Sequence, residues 1–263
     1  MGGVRLTLPL AGLNAAVLAC ALIAAGSVEA AGAPSVESVV EGAAQPATAD
    51  RPTTMATTTA APAAPRGPTA ASATPSPPPP VQRSVITTGW APYAVVGPVT
   101  LHFPGDVVEV VGLHQSGHDG AQPQQPVETA ARIGRLDTRG RDTHDQGAAD
   151  IVVDPAREVR SPVTGTVLRA GTYPLYCDHV DHYLVVEPAA RPGWEVKLLH
   201  FEGLSVSKGD RLEAGRTVVG SKARVLPFES QVDKHTVAPH WPHVHVEVVD
   251  PSIPDRPSGG GCD

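Results

Sequence analysis

Aromatic residues are scarce in this 263-residue chain, where three Phe, three Trp and four Tyr make up 4% of the sequence. Much of the shortfall, and many of the 28 prolines, trace to a low-complexity stretch near the amino terminus, so the length able to fold is well short of the whole. Basic residues are also in deficit: 20 Lys and Arg face 27 Asp and Glu, for a net charge of -7. Without a long basic face to neutralise phosphates, nucleic acid is excluded as an expected partner. No apolar pattern of helical period lasts more than about three turns, which argues against a helical fold.

The amino terminus is organised as a targeting segment. Met1 to Arg5 is a short basic start, Leu6 to Gly26 is nearly uninterrupted apolar sequence, and Val28-Glu29-Ala30 follows the small-x-small pattern of a cleavage site. Residues 1–30 therefore read as a secretory signal peptide or an uncleaved membrane anchor. Either places the rest outside the cytoplasm, secreted or at the cell surface, with membrane contact only through this segment. Cys20 after Val17-Leu18-Ala19 offers a lipoprotein reading, but the residues after it stay apolar where a lipidated terminus turns polar. Residues 31–82 are Ala, Pro, Thr and Ser, including Thr57 to Thr59 and Pro77 to Pro80. They hold too little apolar surface to fold and read as a disordered tether. If the signal is removed, Cys177 and Cys262 remain, either bridged in an oxidising compartment or as separate thiols.

From Val85 onward the texture changes to short β-branched runs broken by Gly and Pro: Val107 to Val111, Ile151 to Val153, Val163 to Val167, Leu184 to Val186 and Val244 to Val249. Such runs are strands, so the expected fold is mostly β. Residues 83–138 form a β-rich segment that is either a separate module or extra strands on the same core. Within it begins a polar stretch, Gln115 to Asp142, long enough to be a functional loop or an insertion.

All 11 histidines lie at or after His102, in the region able to fold. In Pro242-His243-Val244-His245-Val246-Glu247-Val248 apolar and polar residues alternate, so His243, His245 and Glu247 share one face of a strand and the valines the other. Two imidazoles about 7 Å apart on a rigid strand suit one metal ligand beside one proton-transfer group, although a solvent-facing strand would show the same alternation. His200 ends a second strand, Glu195 to His200, after two leucines. His144 and Asp145 precede a third, and Asp150 opens it. One carboxylate and two imidazoles can hold zinc while leaving a fourth position open.

The order of these segments resembles the lysostaphin/LytM family of zinc endopeptidases across residues 139 to 250. Ala149-Asp150-Ile151-Val152-Val153 resembles the family's metal-binding aspartate at the head of a strand, and Ser161 to Val167 its following hairpin. Leu198-Leu199-His200-Phe201 resembles its catalytic-histidine strand, Val206 to Gly215 the turn after it, and His243-Val244-His245 its terminal H-x-H. The resemblance implies an antiparallel β sandwich of the duplicated hybrid-motif type in residues 139–263. It also implies one Zn2+ ion held by Asp150, His245 and a further histidine, with His200 and His243 catalytic and a peptidoglycan peptide as substrate. The first motif departs from the family pattern, since Gln146 stands four residues before Asp150 and Ala148 replaces a glycine. His144 is then the expected third ligand, and Leu113 to Gly120 offers His114 or His118 as alternative donors or groove residues.

Two other readings compete. A non-catalytic relative would keep the scaffold and bind cell wall or regulate another wall hydrolase. A lipoyl-like domain would need a modifiable lysine at a hairpin tip, and none of the four lysines, Lys197, Lys208, Lys222 and Lys234, sits in a convincing one. The pairs Asp178-His179 and Asp181-His182 read as a surface turn, and His235 and His240 as residues bordering the cleft.

Overall fold

The computed structural model describes residues 82–256. The expected signal or anchor segment, the expected tether up to residue 81, and Cys262 lie outside them.

The amino-terminal half of the described chain carries β1 (Ile86–Thr87), β2 (Pro92–Val96), β3 (Val99–His102), β4 (Val107–His114), β5 (Gln125–Pro126), β6 (Ile133–Arg135), β7 (Ala148–Val153) and β8 (Val159–Arg160). Then follow β9 (Gly165–Leu175), β10 (His179–Pro188), β11 (Glu195–Leu199), β12 (Phe201–Glu202), β13 (Arg211–Leu212), β14 (Val218–Gly220), β15 (Lys222–Ala223) and β16 (His243–Val249). A 3-10 turn, Gln231–His235, lies before β16. The fold is mostly β and its sheets are antiparallel, apart from the parallel pairing of β6 with β4.

The main sheet has the order β1-β4-β7-β16-β11-β10-β9-β13, with β6 alongside β4. Alternation along its strands separates two faces. Val111, Ile151, Val244, Val246 and Leu198 are almost fully buried in one apolar cluster, and each such side chain contributes roughly 1.5–3 kcal/mol by leaving water. The same cluster takes in Tyr93 and Leu101 of the three-stranded sheet β3-β2-β5, with Phe103 tilted against Tyr93 at 5.3 Å. The two sheets thus close on a common interior. The residues between those core positions, among them Gly112, Asp150, His245 and Lys197, are turned to the opposite face.

Residues 83–138 are not a separate module. Strands from either side of residue 138 share the main sheet, because β4 lies directly beside β7, with Gly112 opposite Asp150 and His114 opposite Ala148. The polar stretch after His114 carries β5 and β6 and crosses back over the sheet. It is pinned by Gln124, whose side chain accepts from the Tyr93 hydroxyl and donates to the Val246 carbonyl, each at 2.8 Å.

Candidate metal centre

Three neighbouring strands bring three side chains to one point. His245 pairs directly with Asp150 across β16 and β7, and His114 stands one strand further, at the end of β4. One ligand atom from each of His114, Asp150 and His245 lies within 4.8 Å of the others, a group that could hold a metal ion. Asp150 Oδ1 is 2.9 Å from His245 Nδ1 and 3.1 Å from His114 Nε2.

The chemistry of His114 shows what this group is suited to. Its Nδ1 lies 2.8 Å from the backbone carbonyl oxygen of Gln115, which can only accept, so Nδ1 carries the proton. Burial keeps the ring neutral by lowering its pKa, in spite of the nearby Asp150 charge. Nε2 is then a bare lone pair, buried without a hydrogen-bond partner and aimed at a carboxylate oxygen. Lone pair against lone pair is unfavourable unless a cation lies between them. The donor set of two imidazoles and a carboxylate is one that zinc accepts.

His144, the third ligand expected from sequence, is exposed and is not among the residues brought together. It lies in the turn before β7, where its carbonyl accepts from Gly147 N–H and its side chain has no strand to aim it. The histidine that joins Asp150 and His245 is His114 instead, one of the two alternatives in Leu113 to Gly120. His118 is turned to its own loop, with Nδ1 accepting from Gly120 N–H at 3.0 Å. The β-branched run leading to His114 carried the missed signal: a histidine closing a strand is better aimed than one in a turn.

Further side chains hold the ligands in place. His245 Nε2 lies 3.8 Å from Glu247, whose carboxylate accepts from Ser116 Oγ at 2.6 Å and pairs with Lys197 Nζ at 3.3 Å. Both Lys197 and Glu247 are buried. Arg139 Nη2 approaches the other oxygen of Asp150 at 3.7 Å, with its Nε anchored on Gln231. Arg141 donates to the same Gln115 carbonyl that holds His114.

The four charged or titrating groups at the centre divide one proton unequally. Burial would raise Asp150, but the hydrogen bond it accepts from the His245 cation holds the carboxyl well below its usual range. Burial also opposes charge on His245, yet its hydrogen bond to Asp150 and the Glu247 carboxylate beside it push it up to about 9. His243 goes the other way, down to about 3, because burial and the neighbouring imidazoles outweigh the attraction of Asp150. The metal-free cluster therefore holds His245 as its cation beside neutral His114 and His243.

His200 and His243, the expected catalytic pair, meet at the edge of this group. Their rings are edge-to-face at 5.1 Å, and His200 lies 6.0 Å from the His245 ring. His200 leaves β11 with φ of 67°, a left-handed conformation uncommon outside glycine. Its Nδ1 is 2.6 Å from Asp181. Asp181 corrects the reading of residues 178 to 182 as a surface turn: it is fully buried, because the long hairpin of β9 and β10 carries it onto the site face of the sheet opposite Tyr173. Beside His243 opens a cavity of about 430 Å³ lined by Val225, Leu226, Phe228, His240 and Trp241. His240 thus borders the cleft. His235 sits in the 3-10 turn, and its carbonyl accepts from Arg132.

Cys177 is disulfide-bonded, at the tip of the β9–β10 hairpin, with its partner outside the described residues. Comparison of the chain with protein families, curated proteins and solved structures finds no match.

Proposed function

We propose that this protein is an exported zinc metalloendopeptidase that hydrolyses peptide bonds of peptidoglycan. The observation that carries the reading is the buried, unpartnered Nε2 of His114 facing Asp150 beside His245, with two more histidines within reach of the same point. The choice of wall peptide as substrate and of zinc as the ion rests on the resemblance of residues 139 to 250 to the lysostaphin/LytM family. Export rests on residues 1–30.

In this reading His114, Asp150 and His245 hold the ion. A bound zinc supplies a Lewis acid for the scissile carbonyl and lowers the pKa of water toward about 7. His200 and His243 are the proton carriers, one taking a proton from the attacking water and returning it to the amine that leaves as the C–N bond breaks. The cavity beside His243, walled by Trp241 and Phe228 and by the polar Glu229, Ser230 and Asp233, takes the side chain next to the scissile bond.

The test is direct. Purified protein should bind one equivalent of zinc and release peptide from cross-linked wall material, with both lost in His245→Ala and release lost on chelation. Zinc-loaded protein that leaves wall material intact sinks the hydrolase reading. A chain that binds the wall without metal supports the non-catalytic, wall-binding or regulatory alternative instead.

A further inference from the structure

We propose that Asp181, backed by Tyr173, is a positioning residue that fixes the tautomer and orientation of His200. The proposal rests on the reading of the site as a hydrolytic centre, and adds to it a residue from outside the metal group.

Asp181 is fully buried, and both of its oxygens are committed. Oδ2 accepts from His200 Nδ1 at 2.6 Å and from the Tyr173 hydroxyl at 2.9 Å, while Oδ1 accepts from the His182 backbone N–H at 2.8 Å. Isolating a carboxylate from water is costly unless every lone pair is used. A leucine would pack that strand position without such cost, so the carboxylate is there for its partners. Tyr173 sits opposite Asp181 across β9 and β10, and the bond from its hydroxyl ties it to the same carboxylate. Burial opposes ionisation of Asp181, yet the His200 ring and these donors hold its carboxyl below the usual range.

A carboxylate can only accept, so His200 donates through Nδ1. Its lone pair is therefore on Nε2, at the far edge of the ring from Asp181. The positive φ of His200 is the backbone counterpart of this arrangement. A non-glycine residue in that region is strained, and the strain persists only where the surroundings over-determine it. Here the hydrogen bond to Asp181 and the edge-on contact with His243 fix the ring from two sides. The result is an imidazole with one nitrogen committed and the other presented, the arrangement a proton acceptor needs.

Asp181→Asn keeps the shape but not the hydrogen bonding. If the amide oxygen faces His200, the amide nitrogen faces the His182 N–H, and two donors collide. If it flips, the nitrogen faces His200 Nδ1, which must then accept, leaving the proton on Nε2. Tyr173→Phe removes one donor and keeps the carboxylate.

The experiment uses the zinc-loaded full chain with 15N-labelled histidine, the His200 signals being assigned by their loss in His200→Gln. Wild type should show His200 protonated on Nδ1 at pH 8. In Asp181→Asn the tautomer should change and kcat on wall peptide should fall about 100-fold, with KM within about twofold. Zinc stoichiometry should stay at one in both variants, and Tyr173→Phe should lose roughly 3- to 10-fold in kcat with the tautomer kept. A wild-type His200 protonated on Nε2, an unchanged tautomer in Asp181→Asn, or loss of zinc from that variant each overturns the proposal. If Asp181→Asn does not fold, the wild-type tautomer and Tyr173→Phe decide. If wild type holds zinc but releases no wall peptide, the hydrolase reading fails while the tautomer measurement still judges Asp181.

Discussion

His114 Nε2 and Asp150 Oδ1 face each other at 3.1 Å across β4 and β7, with no proton to share between them when His114 is neutral. A cation binding there removes a repulsion as well as gaining three ligands. Zinc should therefore raise the stability of the folded chain by about 2.7 kcal/mol when free metal is at 100 times its dissociation constant. For a domain of this size that is a rise of about 5 to 10 °C in melting temperature. His114→Ala should abolish the rise and His144→Ala should leave it intact. Calorimetric melts with and without zinc check this, and the opposite ranking of the two variants would restore His144 as the third ligand.

The pH dependence of the metal-free protein follows from two histidines shifted in opposite directions. His245, raised to about 9 from an ordinary 6.5, contributes stability that is complete below pH 6.5 and is lost as pH rises toward 9. His243, lowered to about 3, contributes stability that is complete above pH 6.5 and is lost as pH falls from there toward 3. Asp150 and Glu247, both held well below their usual range, add a further loss below about pH 4.5. Metal-free protein should therefore be most stable near pH 6.5. Binding of zinc at pH 7 should release about one proton, from His245, because a ligating imidazole must be neutral. Isothermal titration in buffers of different ionisation enthalpy measures that proton, and a value near zero contradicts the assignment.

Much of the fold was legible because alternation is a local property. The valines of 244 to 248 declare their face within their own strand, and register did the rest, placing His245 opposite Asp150. What was not legible depended on long-range pairing. His114 reaches the centre only because β4 lies beside β7, and the two histidines of 114 and 144 look alike until one is known to close a strand and the other a turn. Asp181 was misread for the same reason. A short Asp-His pair near a hairpin tip resembles a surface turn until the strands extend far enough to bury it.

Lys197 and Glu247 form a buried pair across β11 and β16, and the second oxygen of Glu247 is held by Ser116. Removing one partner leaves an uncompensated charge. Lys197→Met should cost about 3 to 5 kcal/mol in urea unfolding, whereas the double replacement Lys197→Met with Glu247→Gln should recover much of that. The double variant would still lose the carboxylate charge behind His245 Nε2, so its zinc affinity should fall about 10-fold or more even where stability returns. A double-mutant cycle with stability and zinc competition read in parallel checks both halves. Equal recovery of stability and affinity would mean that Glu247 serves packing alone.

The loop that leaves His114 returns to the end of β16 at Gly120, and the approach is close. A Cβ on Gly120 would stand 2.4 Å from the Asp250 carbonyl oxygen, which is backbone and cannot swing away. The two residues are also joined by a hydrogen bond, from Asp250 N–H to the Gly120 carbonyl at 2.9 Å, and Asp119 beside them is clasped by Arg256. Gly120→Ala must lift the loop from the strand, at a cost of roughly 1 to 3 kcal/mol. Because His114 stands at the root of that loop and Ser116 holds Glu247 from it, zinc affinity should fall with stability, by about 10-fold. Arg256→Ala acts on the outside of the same loop, where water screens an exposed ion pair, and should leave zinc affinity unchanged. Urea unfolding and competition against a zinc chelator separate the two variants. Wild-type affinity in a destabilised Gly120→Ala would show that β4 alone, without its following loop, sets the position of His114.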